Sequence, residues 1–177
     1  GDHPGPINLG NPGEFTIRQL AEMVKARISP ALPLVEQPLP PQRDRELDTA
    51  GFAALIGLAP IPLVADESCW DLADLMRLAP HVDGINIKLV KSGGLSEALL
   101  MARTARRLGL GVMLGCYSDS TLLNSAAAQL LPLVRWPDLD SHLNLVDDPF
   151  VGLERQGDRL QPPTGAGLGI GPQGLLP

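Results

Sequence analysis

Aromatic side chains are nearly missing: three Phe, two Trp and one Tyr make up 3% of the 177 residues. A core without them has to be built from Leu, Val, Ile and Ala, a recipe common in parallel sheets covered by helices. Positive charge is also short. Fourteen Lys and Arg against twenty Asp and Glu leave a formal net charge of −6. That balance argues against a nucleic-acid surface, because phosphate binding needs a basic stripe. Only two cysteines are present, Cys69 and Cys116, too few for a disulfide framework. No apolar run approaches the roughly 20 residues that span a bilayer. The opening GDHPGPINLG has neither the basic start nor the apolar centre of a signal peptide. These absences lead to the expectation of a cytoplasmic globular protein with no nucleic-acid or membrane partner.

What is abundant is glycine (19) and proline (18), and they punctuate a regular alternation. LPLVEQP (Leu32 to Pro38) reads as a strand ending at a proline. RDRELDTAGFAALIGL reads as a helix that Gly51 weakens. IPLVADES (Ile61 to Ser68) is the next strand, followed by a helix around Trp70 to Leu78 that Pro80 closes. GINIKLVKSGG (Gly84 to Gly94) alternates Ile85, Ile87 and Leu89 with Asn86, Lys88 and Val90, the period of a strand. A helix from about Leu95 to Leu108 follows, with Gly109 as its stop signal. GVMLGCYSDS (Gly111 to Ser120) is a strand, TLLNSAAAQLL a helix, and LDSHLNLV (Leu139 to Val146) a fifth strand. Such β-α-β-α succession predicts an α/β fold with parallel strands and right-handed crossovers. The ending QPPTGAGLGIGPQGLLP is too rich in Pro and Gly for a regular element and reads as a loop or tail. The first thirty residues give a short strand, a turn and an amphipathic helix, with Thr16 and Gln19 spaced as a capping box.

Polar groups recur at one place in each unit. Glu36 follows Leu34-Val35, Asp66 follows Val64-Ala65, and Lys88 follows Ile87, each near the C-terminal end of an apolar run. In parallel α/β folds that end gathers ligands and chemistry. Two carboxylates from successive strand tips suit a hard cation such as Mg²⁺. A lysine on a later strand becomes a base where burial and a nearby cation lower its pKa. Asp138 and Asp140 add an acidic pair at the start of the fifth strand. Taken singly, each residue also has a plainer reading. Glu36 serves as a loop charge, Asp66 as a helix cap, Lys88 as a snorkelling or paired lysine, and Cys116 as a small core hydrophobe.

Together, VEQP, ADES, NIKLVKSGG, GVMLGCYSDS, DLDSHLNLVDDPF and GAGLGI resemble the enolase superfamily, and within it the dipeptide epimerases of the Ala-Glu type. The resemblance covers residues 32–171 and implies a partial (β/α) barrel of about five parallel strands, the C-terminal half of an enolase-type TIM barrel. It implies Glu36 and Asp66 as Mg²⁺ ligands, Lys88 as an acid/base catalyst, and Lys91 as its supporting residue at the strand tip. Asp138 and Asp140 would hold a dipeptide's α-ammonium, with Cys116 in the same substrate-binding group. GCYSDS departs from the more usual Met and Glu of that strand. The family reaction removes the proton α to a carboxylate to give an enediolate, which a second lysine reprotonates from the opposite face. Lys25, the remaining lysine, stands in a helical pattern, and no Asp-x-Asn motif precedes Glu36. The resemblance therefore implies that activity needs a homo-oligomer or a complementing chain; a truncated or chimeric fragment without activity is the alternative.

Residues 4–28 are similar to the C-terminal part of UDP-glucuronate decarboxylases, which are extended short-chain dehydrogenases. They carry no Gly-rich dinucleotide loop, and Tyr117 has Thr121, not lysine, four residues on. This second resemblance implies a segment of different origin (1–30), a join near Ser29 to Pro33, the barrel part (31–171) and a tail (172–177). It also leaves open a nucleotide-sugar binding module.

Overall fold

A computed structural model describes residues 32–157 and 159–174; the strand, turn and helix read in the first thirty residues lie outside them. Five strands, β1 (Val35–Glu36), β2 (Leu63–Ala65), β3 (Gly84–Ile87), β4 (Gly111–Leu114) and β5 (Trp136–Pro137), run parallel in sequential order. They form a curled half-barrel with helices on its outside. The helices are α1 (Arg45–Leu55), α2 (Leu72–Leu78), a single turn α3 (Leu89–Ser92), α4 (Leu95–Arg107) and α5 (Thr121–Ala128).

Local chemistry accounts for these boundaries. Asp44 caps α1 by accepting from the amides of Glu46 and Leu47, and Asp71 caps α2 by accepting from Asp74 N at 2.8 Å. Gly51, which weakens α1 on propensity, is there for space: an added Cβ would lie 2.7 Å from Leu39 Cδ1. Gly84 and Gly111 leave room for the Trp136 ring, which lies over the starts of β3 and β4. The helix-facing layer is aliphatic, with Leu63, Ile85, Ile87, Val112 and Leu114 packed against Phe52, Leu75, Leu78, Met101 and Ala105. Between β3 and β4 and the next layer, the small residues Ala98, Ala102 and Ala105 bring α4 close. No helix among the described residues is long and apolar enough to cross a membrane.

Three expectations are corrected. The strand read through Gly84 to Gly94 ends at Ile87, and Leu89 and Val90 are helical. The helical turn ends at Gly93, whose φ of 80° supplies its left-handed C-cap. The fifth strand is Trp136–Pro137, paired with Met113 and Leu114. LDSHLNLV instead makes a 3₁₀ turn at Ser141–Asn144, so Asp138 and Asp140 follow the fifth strand rather than begin it. The Pro- and Gly-rich ending is partly regular. β6 (Phe150–Val151) pairs antiparallel with β9 (Gly171–Pro172), and β7 (Glu154–Gln156) forms a hairpin with β8 (Arg159–Gln161). Leu153 from this part joins the main core.

Candidate active site

Glu36 ends β1, Asp66 follows β2, and Asn86 and Lys88 project two residues apart from the β3 tip, so the parallel register gathers all four. Asn86 Nδ2 donates to Glu36 Oε1 at 2.6 Å, and Lys88 Nζ pairs with Asp66 Oδ2. Burial pushes the Glu36 carboxyl up to about 7; the neighbouring Asp66 adds to the rise, and the Asn86 hydrogen bond opposes it. Burial acts upward on Asp66 too, but the charges and hydrogen bonds of Lys91 and Lys88 outweigh it and hold that carboxyl below the usual range. Lys88 is held above its ordinary value. Its burial acts downward, and the bond to Asp66 prevails. A base lowered by burial is therefore not what this arrangement shows; the Asp66 pair keeps the ammonium charged.

Lys91 has a different position from the one implied by a strand. Its side chain is 1% exposed, and its Nζ donates to Asp66 O, Asp66 Oδ1 and Asn86 O. An ammonium has three donors, and all three hold the β2 and β3 tips together.

Across the sheet, Cys116, Asp138 and Asp140 are brought together, with their Sγ and carboxylate oxygens within 4.8 Å of one another. Asp138 N donates to Leu114 O at 2.9 Å, continuing the β4–β5 ladder by one residue and aiming the acid from the strand tip. Burial, then the Asp140 charge, raise the Asp138 carboxyl, while Lys88 lowers it. A cavity of about 570 Å³ opens beside this pair, toward Arg155 and Arg159 of the hairpin.

Glu36 and Asp66 fit a hard divalent cation. They are two oxygen donors on adjacent strands, and the half-buried Glu36 carboxyl is driven up partly by its neighbour, which a cation would relieve. Three participants escaped the sequence reading. Asn86 was discoverable, since it shares the period-two face with Lys88. Tyr117 stands over Lys88, the ammonium 4.3 Å from the ring centroid, and nothing in its surroundings in the sequence signals that. Gln37 accepts from Asp66 N at 2.9 Å, a contact set by backbone conformation.

The enolase C-terminal domain-like family matches residues 10–174. Over 167 residues the chain is 36% identical to a hydrophobic dipeptide epimerase from Flavobacteria bacterium (strain MS024-2A), covering 94% of this chain and 46% of that protein. It is 36% identical over 137 residues to an L-Ala-D/L-Glu epimerase from Bacteroides thetaiotaomicron, covering 77% and 34%. The structure of a dipeptide epimerase from Cytophaga hutchinsonii, complexed with Mg and D-Ala-L-Val, superposes with TM-score 0.79 at 28% identity, over 90% of this chain and 44% of that one. The chain thus spans less than half the length of these relatives. The similarity of residues 4–28 to UDP-glucuronate decarboxylases finds no support, since the family match begins at residue 10 and runs through that segment. With its five-stranded half-barrel and a match over residues 10–174, the chain belongs to the enolase C-terminal domain-like family.

Proposed function

We propose that this chain forms one side of an epimerase site that works at the α-carbon of a dipeptide, with Glu36 and Asp66 holding Mg²⁺. The observation that carries this reading is Lys88, buried with Asp66 beside Glu36 and within electrostatic reach of Asp138. The epimerase names of the relatives support it.

Each residue then has a definite task. The Asp138–Asp140 pair presents two carboxylates beside Cys116, suited to a dipeptide's α-ammonium; the cavity on their other side is not lined by Lys88, Glu36 or Asp66. Lys88 moves the α-proton on one face. Paired with Asp66 its ammonium is a donor; to accept the α-proton it would first give up one proton to solvent, which a cation held by Glu36 and Asp66 would favour by weakening that pair. When bound, Mg²⁺ supplies positive charge that offsets the second negative charge developing on a substrate carboxylate. Lys91 keeps Asp66 fixed. Inverting a carbon takes a second proton-transfer group on the opposite face. Among the described residues the only other lysine is Lys91, and its donors are all engaged. By itself the chain exchanges the α-proton; with a complementing polypeptide it inverts the centre.

The test is proton exchange in D₂O with Mg²⁺ and L-Ala-L-Glu or a hydrophobic dipeptide, followed by NMR. The expected result is deuterium at the α-carbon of the second residue without inversion. In Lys88→Ala the rate should fall by about 10²–10⁴-fold, the usual contribution of a positioned acid or base. Absence of exchange with every dipeptide would leave the chain a non-catalytic scaffold.

A further inference from the structure

We propose that Gln37 is a positioning residue that sets the Asp66 carboxylate relative to Glu36. This rests on the reading of that pair as the Mg²⁺ site. Among the described residues Gln37 is the only non-glycine with positive φ, at 37°, a region that residues with a Cβ adopt only when the surroundings hold them there. The hold is visible. Gln37 N donates to Val64 O at 2.9 Å, and its side-chain Nε2 donates to Leu39 O at 2.7 Å and Ser68 Oγ at 2.9 Å. Its Oε1 accepts from Asp66 N at 2.9 Å and Ser68 N at 3.3 Å.

The amide thus ties the residue next to one carboxylate to the backbone of the residue bearing the other. Strands β1 and β2 already fix Glu36 against Val64; after Ala65 the ladder ends, and Gln37 replaces it at the residue where Asp66 leaves the sheet. The clamp is anchored in turn, since Ser68 Oγ donates to Asp48 Oδ1 at 2.8 Å and Asp48 pairs with Arg77 at 3.0 Å. A left-handed backbone at residue 37 aims the side chain across to the β2 tip. Glycine would adopt the same backbone without strain but could not make the clamp.

That difference defines the test. Gln37→Gly relieves the backbone and removes the side chain; Gln37→Met keeps the bulk and removes the hydrogen bonds. Metal affinity is measured directly, by calorimetry with Mg²⁺ and by electron paramagnetic resonance with Mn²⁺, beside the melting temperature of the metal-free protein. Both variants are expected to bind about 10- to 100-fold more weakly, as when residues that orient a metal ligand are removed. In Gln37→Gly the relieved backbone should offset part of the stability lost with the side chain's hydrogen bonds, so its metal-free melting temperature should lie above that of Gln37→Met. The exchange reaction should need correspondingly more Mg²⁺ for half-maximal rate and recover at saturation. If both variants bind metal within twofold of the unchanged chain, the positioning role is wrong and the metal pair stands. If the unchanged chain binds neither metal at millimolar concentration, the metal pair and the positioning role fall together.

Discussion

Lys88 and Lys91 stand three residues apart and both meet Asp66, yet their duties diverge. Lys91 gives all three donors to the strand tips, whereas Lys88 gives one hydrogen bond to the described residues and shows its remaining surface to Tyr117. The same crowding of charge leaves a mark on stability through Glu36. Its carboxyl is raised from 4.5 to about 7 by burial and by Asp66, so between those values the folded state binds more protons than the unfolded one. Stability therefore falls as pH rises from about 4.5 to 7. The lowered Asp66 acts in a separate window, losing its contribution only as pH drops below 3.8. Urea titrations of the metal-free protein should show the neutral-side decline, and Glu36→Gln should flatten it. With Mg²⁺ present, the decline should disappear, because the ionised carboxylate is then the form that binds.

At the level of elements, α1 and α2 are joined by Arg77, which is 18% exposed and bridges Asp48 and Asp74 at 3.0 Å each. The same guanidinium donates to Thr49 Oγ1 and to Ser68 O. Arg77→Met keeps the stem but leaves the buried Asp48 without an ion partner and Asp74 with only the exposed Arg45 at 3.5 Å, at an expected cost of about 3–5 kcal/mol, to be read from chemical denaturation. Asp48→Asn in the same background should recover part of it. Elements also mark where sequence was readable. Glu36, Asp66 and Lys88 could be located because an apolar run followed by one polar residue survives even when the strand is only two to four residues long. The family resemblance named Lys91, but its setting in a helical turn could not be read, since the apolar alternation of Leu89 and Val90 imitates strand. β5 was hidden in Trp136–Pro137, too short to show a period. The β7–β8 hairpin was hidden by the glycines and prolines around it, whose composition signals loop regardless of pairing. Gln37 belongs to neither class: its role depends on a dihedral angle, and no spacing encodes one.

At the level of the molecule, both halves of the candidate site reach the edges of the described sheet. Cys116 follows β4, and the exposed Asp138 and Asp140 follow β5 with the buried Leu139 between them joining the core. Glu36 lies on β1, one of the two outermost strands of the sheet among the described residues, β5 being the other. The strictly sequential strand order has a kinetic consequence. Every strand pairs with its neighbours in the chain, so the sheet can be dismantled one hairpin-free unit at a time, from its ends inward, without disturbing the middle. Amide protons near Gln37 should then trade with solvent by brief peeling of the first strand, while those of Ile85 and Val112 wait for wholesale unfolding. A cation gripped by both Glu36 and Asp66 would act as a rivet across that seam. Deuterium uptake monitored by mass spectrometry should slow at the first strand on adding Mg²⁺ and stay unchanged at the fourth; equal slowing at both would mean that the whole sheet opens as one piece.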